Sequence, residues 1–117
     1  MIIKGKIVSG LQKGHLFVSQ YNPEFQKWLG FSSYPGTLNI KVKDVLLFPL
    51  QNKIQIKPPE GGIVDCYLTI INNVLKGAIV IPHKTRHPRE IIEIIAPANI
   101  REMLHLKDGD EIQCELE

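Results

Sequence analysis

Thr37 and Asn39 stand one residue apart just after Pro35-Gly36, within Tyr34-Pro35-Gly36-Thr37-Leu38-Asn39-Ile40-Lys41-Val42. The Pro-Gly pair ends what precedes it, and strict alternation follows: Leu38, Ile40 and Val42 toward one face, Thr37, Asn39 and Lys41 toward the other. As a strand, this segment points Thr37 and Asn39 the same way, with Cα atoms about 6.6 Å apart. A hydroxyl oxygen and an amide oxygen at that spacing suit one small hard cation. Both are neutral, so the balancing negative charge must come with a ligand, and a nucleotide phosphate is the natural supplier. In isolation, a Thr-x-Asn pair is more simply the solvent side of a half-buried strand.

Other segments also carry chemistry. Ser9-Gly10-Leu11-Gln12-Lys13-Gly14-His15 has a glycine near each end and a lysine between, so it is either a turn needing positive φ or a loop whose N–H groups face a phosphate. It is not the G-x-x-x-x-G-K-[ST] loop, and no long helix is expected after it. Glu93 lies in Glu90-Ile91-Ile92-Glu93-Ile94-Ile95-Ala96 and shares a face with Ile91 and Ile95. A carboxylate there must find a partner or titrate higher, so it is a satisfied structural acid or a pocket residue that binds a polar ligand group. His83 to Arg89 is the most basic run, either a solvated loop or a phosphate or nucleic-acid contact, and its two histidines lack the further ligands of a zinc site.

Positioning elements follow from pattern. Strands are expected at Ile2–Val8, Leu16–Ser19, from Thr37, at Ile54–Ile56, Val64–Ile70, Val74–Ile81, Glu90–Ala96 and Glu111–Leu116. Asn22-Pro23-Glu24 reads as a helix start and Gly30 as its stop, giving a short helix Pro23–Leu29 with Phe25, Trp28 and Leu29 on one stripe. Pro97 is expected to open a second helix through Leu104, whose free N–H groups form an anion site. Pro58-Pro59-Glu60-Gly61-Gly62, Asn72-Asn73 and Leu106 to Asp110 are turns. Many short strands with two small helices give a mainly β protein, a small closed β-barrel.

With 117 residues the chain has room for one core, and residues 1–117 are expected to form a single domain. A net charge of +2 does not mark a dedicated nucleic-acid binder. Met1 runs directly into the first strand without a leader pattern, and no apolar run approaches membrane-spanning length, so a cytoplasmic protein away from membranes is expected. Cys66 and Cys114 sit among alternating apolar residues and read as buried thiols in a reducing compartment, with pairing left to geometry.

Taken together, these residues resemble the archaeal CTP-dependent riboflavin kinases. The matching pieces are Gly5 to Phe17, Leu29-Gly30-Phe31, Tyr34-x-Gly36-Thr37-Leu38-Asn39, Gly77 to Val80 with Pro82, Lys84-Thr85 and His87, then Glu90 to Pro97, Arg101-Glu102 and Leu106 to Asp110. Their order and spacing, more than any single motif, carry the likeness, which is weakest from Lys43 to Asn73. The resemblance implies a six-stranded cradle-loop barrel with one or two short helices that transfers the terminal phosphate of CTP to the 5′-hydroxyl of riboflavin, giving FMN and CDP. It implies that Gly10, Leu11, Gln12, Lys13, Gly14 and His15, with Ala98, Asn99, Ile100 and Arg101, bind the nucleotide. Thr37 and Asn39 match Mg²⁺ ligands, and Thr85 and Glu93 match flavin contacts. Gln12, His15 and Asn99 depart from the family's usual Gly, Arg and Lys, leaving Lys13 and Arg101 to supply positive charge. Some relatives begin with a winged-helix DNA-binding domain; with Met1 abutting the first strand, none is expected here.

The implied enzyme acts as a monomer without nucleic acid. Glu93 is its candidate catalytic residue, hydrogen-bonding the acceptor or taking the hydroxyl proton. The rival class is a binding module, because Leu106-Lys107-Asp108-Gly109-Asp110-x-Ile112 also resembles swapped-hairpin transcription factors of the AbrB type. A family member that keeps flavin or nucleotide binding without activity is a third reading.

Overall fold

The computed structural model describes residues 1–10, 14–43, 47–84 and 88–117, without the side chains of residues 14 and 15. Its strands are β1 (Ile2–Val8), β2 (Leu38–Lys41), β3 (Lys53–Ile56), β4 (Val64–Ile71), β5 (Leu75–Pro82), β6 (Ile91–Ile95) and β7 (Glu111–Leu116). The helices are α1 (Gly14–Leu29) and α2 (Ile100–Met103), with a 3₁₀ turn at Leu50–Asn52. Sheet order runs β3-β4-β5-β6-β2-β1-β7, and β4 also pairs with β7. That pairing closes an antiparallel six-stranded barrel of β4, β5, β6, β2, β1 and β7, as expected. β3 stays outside the ring, on the first half of β4, while β7 takes the second half of the same strand. The ring closes within one chain, so no interleaved hairpin from a second copy is needed to complete it.

Local chemistry explains the corners. Asn72 and Asn73 both have positive φ, which fits the tight β4–β5 hairpin and a residue type that tolerates that region. Asn72 Oδ1 accepts from the Gln113 N–H at 2.8 Å and Thr69 Oγ1 donates to the Glu115 carbonyl at 2.8 Å, so this hairpin is stitched to β7 where the barrel closes. Gly36, at φ 117, makes the bend that launches β2.

Alternation divides the apolar residues into two clusters. Ile3, Ile7, Leu38, Ile40, Ile79, Ile92, Ile94 and Ile112 fill the barrel interior. Val18, Tyr21, Phe25 and Leu29 of α1 cover Val64, Cys66, Ala78, Val80 and Ile95 on the outer face. β6 is apolar on both faces because it separates these clusters.

The helical expectations need correction. Leu16–Ser19 is not a strand, and the first helix is not the short Pro23–Leu29; α1 runs through both as 16 residues with Pro23 inside. Leu16, Phe17 and Val18 have strand-like propensities, but Val18, Tyr21, Phe25 and Leu29 recur at helical spacing and are buried, so packing overrides propensity. Asn22 does not cap: its Oδ1 accepts from the Ser33 N–H and its Nδ2 donates to the Ser33 carbonyl. Trp28 leaves the expected stripe; it is 52% exposed, donates Nε1–H to Glu24 and sits beneath Lys27 Nζ. The second helix begins at Ile100 rather than Pro97, because Asn99 caps it, accepting from the Glu102 N–H at 3.1 Å. The Asn99-x-x-Glu102 spacing carries that signal in the sequence.

Both cysteines are free and buried. Burial first of all pushes each thiol up to about 12.

Candidate functional site

β2 lies between β1 and β6, which places Asn39 opposite Val8 on one side and Glu93 on the other. Leu38, Ile40, Ile92 and Ile94 point into the barrel, so Asn39 and Glu93 point to its outer face, the side that α1 covers farther along. Thr37 leads into β2 on that same face, and its Oγ1 donates to Glu93 Oε1 at 3.0 Å. The alternation therefore orients this pair as the sequence requires. Glu93 resolves its predicament by finding a partner, in a charge-assisted bond. A hydroxyl that donates its proton keeps two lone pairs, so Thr37 Oγ1 remains an acceptor for a cation.

Asn39 is only 7% exposed. Among the described residues, its Oδ1 is the one buried side-chain polar atom without a hydrogen-bond partner. Leaving such a group unmet costs about 1–3 kcal/mol. Gly10 lies against it, and a Cβ added there would fall 1.9 Å from Asn39 Nδ2. Glycine at position 10 leaves room for the Asn39 amide where a methyl group would displace it, and the first glycine of the loop and the Thr-x-Asn strand meet at one point.

The chain passes from Gly10 to the first residue of α1 at Gly14. A helix of that length directs partial positive charge toward its start, and no acidic residue occupies its first turn. This is the feature sequence reasoning missed, by taking Leu16–Ser19 as a strand. Leu11, Gln12 and Lys13, the His15 side chain and Thr85 lie outside the described residues, as do Arg86 and His87 of the basic run. His83 is exposed and its Nε2 is 3.0 Å from Asp65 Oδ2.

Ala98, Asn99, Ile100 and Arg101 line a cavity of about 170 Å³ with Tyr34 and Thr37. The second expected nucleotide segment thus adjoins Thr37. Its anion site cannot be free N–H groups at Pro97, since α2 is a single short turn and Asn99 already serves one of them. Arg101 is engaged as well: Nη2 meets Asp108 Oδ1 at 2.6 Å, and Ser9 Oγ donates to Asp108 Oδ2 at 2.7 Å. The Ser9 hydroxyl and then the guanidinium hold the Asp108 carboxyl below its ordinary range. Ser9–Asp108–Arg101 ties the approach to the glycine loop to the 98–101 segment, a link that sequence reading saw only as a turn.

A divalent cation fits the residues present in one specific sense. An orphaned buried amide oxygen and a hydroxyl with free lone pairs share one face, with a carboxylate beside them. Among the described residues no group of three or more His, Cys, Asp or Glu is placed to hold a metal, so further ligands would come from phosphate and water.

A family model named CTP-dep_RFKase, described as "Domain of unknown function DUF120", matches residues 7–116. The chain belongs to the CTP-dependent riboflavin kinase family. It is 44% identical over 128 residues to a "Riboflavin kinase" of Thermococcus kodakarensis, covering 98% of this chain and 58% of that protein. It is 40% identical over 129 residues to a "Riboflavin kinase" of Sulfurisphaera tokodaii, covering 97% of this chain and 93% of that one. A "Riboflavin kinase" of Pyrococcus furiosus is 46% identical over 125 residues and is covered over 57% of its length. The chain therefore spans little more than half of two of these relatives and nearly all of the third. Within this kinase family, the match takes in Gly10, Thr37, Asn39, Glu93 and 98–101 alike. No helix among the described residues is long and apolar enough to cross a membrane.

Proposed function

We propose that residues 1–117 act as one barrel domain that transfers the terminal phosphate of CTP to the 5′-hydroxyl of riboflavin, giving FMN and CDP. The observation that carries this reading is the convergence of Gly10, Asn39, Thr37 and Glu93 on one patch of the outer barrel face. Phosphoryl transfer asks a protein mainly for alignment and charge neutralisation, and this patch offers both kinds of group.

Thr37 Oγ1 and Asn39 Oδ1 would hold Mg²⁺, which would supply positive charge to neutralise the phosphates. Gly10 lets the backbone close over Asn39, and the loop through Gly14, with the start of α1, is assigned to the nucleotide phosphates. Ala98 to Arg101, walling the cavity beside Thr37, are assigned to the nucleoside. Glu93, held by the Thr37 hydroxyl, orients the riboflavin hydroxyl or receives its proton, with Thr85 as the second flavin contact.

Purified protein incubated with riboflavin, Mg²⁺ and either CTP or ATP, with FMN separated from riboflavin, tests both the activity and the donor. FMN formation with CTP and little with ATP is expected. No FMN with either donor overturns the reading, and DNA binding that falls steeply with salt would favour the transcription-factor class instead.

A further inference from the structure

Four lysines gather on the outer face of β1 and β2. Lys6 pairs directly with Lys41 across the two strands. Lys4 lies two residues further along β1 on that face, and Lys43 follows just beyond the end of β2 and lines the same groove, while Ile3, Ile7, Ile40 and Val42 turn into the barrel. All four are exposed, and among the described residues none takes part in an ion pair. Like charges opposed across a sheet are destabilising. Gly5 lets β1 and β2 lie close together here, since an added Cβ would fall 2.7 Å from the Lys41 carbonyl oxygen. The lysines floor a groove of about 950 Å³ that continues past Val8 and Ser9, with Asp108 and Glu111 at its border.

We propose that this lysine square is a phosphate subsite adjoining the Thr37–Asn39 patch, taking a phosphate group of the nucleotide or of the phosphorylated product. Its choice of ligand rests on the phosphotransfer reading given above. Val8 is paired with Asn39, and Lys6 with Lys41 two residues along the same face, about 6.6 Å away at strand rise. The groove the lysines floor runs on to Val8, the strand partner of Asn39. Arg101, the cation on the other side, is already committed to Asp108, so among the described residues these lysines supply uncommitted positive charge next to the patch.

The dimensions point to a compact anion. Cβ atoms of directly opposed residues are about 4.5–5.5 Å apart, a span for one or two phosphate groups. Glu111, opposite Lys6 on β7, and Asp108 interrupt any longer basic track, and a net charge of +2 gives no general attraction for a polyanion. A small phosphate ester fits better than a nucleic-acid backbone.

The test is a Lys6→Gln/Lys41→Gln double variant of the full chain, titrated calorimetrically with pyrophosphate, CDP and FMN beside the parent protein. Binding of pyrophosphate is expected to weaken about tenfold or more, the scale of a lost hydrogen bond to a charged group. The ligand-free melting temperature is expected to hold or rise as the repulsion is removed. A parallel loss for CDP alone assigns the subsite to the nucleotide, and for FMN alone to the product. Lys6→Arg/Lys41→Arg, which keeps the charge, should retain binding. Unchanged affinity of the glutamine variant for all three ligands overturns the subsite, as does binding of an RNA oligonucleotide by the parent without pyrophosphate binding. FMN formation by the parent is measured in the same preparation. If the parent makes FMN while the variant binds all three ligands normally, the subsite fails and the kinase reading stands. If the parent makes none while the variant loses pyrophosphate, the kinase reading fails and the subsite stands.

Discussion

Thr37 Oγ1 and Glu93 Oε1 lie 3.0 Å apart although 56 residues separate them in the chain. The contact exists because β2 and β6 are neighbours in the ring, with Asn39 opposite Glu93 in register. It holds a carboxylate at the entrance to β2 and fixes the Thr37 hydroxyl so that its lone pairs are presented rather than its proton. A one-residue slip of β6 against β2 would turn Glu93 into the barrel and end the arrangement.

Asn39→Ala should separate activity from stability. Its Oδ1 is buried without a partner at a cost of about 1–3 kcal/mol, so removal should leave folding stability unchanged or raise it within that range. FMN formation should fall by roughly 10² or more, the scale for losing one electrostatic contact in a phosphoryl or acyl transition state. A folded variant with near-normal turnover would remove Asn39 from any role in holding a cation.

Gly10→Ala should act through Asn39. The new methyl group overlaps the amide, which must rotate away from its place. Activity should drop as far as it does in Asn39→Ala, and the double variant should be no worse than either single one, since both remove the same group. Additive losses in rate would show that Gly10 matters for something other than admitting that side chain.

Glu93→Gln keeps an oxygen to accept from Thr37 while removing the charge. If Glu93 takes the acceptor proton, kcat should fall by 10² or so with little change in riboflavin KM, because general base catalysis contributes about 10²–10⁴. A raised KM at unchanged kcat would make it a binding residue only.

The buried thiols predict an alkaline limb in stability. Their folded values stand near 12, raised from 9.0, so their contribution is complete below about pH 9 and lost as pH climbs from 9 toward 12, where the unfolded chain ionises first. Urea unfolding followed across this range should show stability falling. Cys66→Ala and Cys114→Ala should each flatten the fall at a cost in packing. Tyr21 and Tyr67, also shifted upward by burial, add to the limb above pH 10. A thiol reagent at pH 8 should label the native protein only as fast as it unfolds; rapid labelling of both cysteines would contradict their burial.

Period-two patterning was enough to place the face shared by Thr37 and Asn39 and the two-sided burial of β6, and turn residues were enough for the bend at Gly36 and the turn at Asn72-Asn73, because each depends on residues within a few positions of one another. Helix α1 was not readable that way. Leu16-Phe17-Val18 favour a strand, Pro23 imitates a helix start, and only burial of Val18, Tyr21, Phe25 and Leu29 against the sheet makes 16 continuous helical residues the better solution. The candidate site was half legible: residue types and spacing singled out Thr37, Asn39 and Glu93, which the fold brings to one face, but nothing local tells that Gly10 packs on Asn39, that Arg101 is bound through Asp108 to Ser9, or that Lys6 faces Lys41. Those meetings arise when β1 enters the ring between β2 and β7, and ring closure is a property of the whole folded chain, set by which apolar faces find each other across long sequence separations.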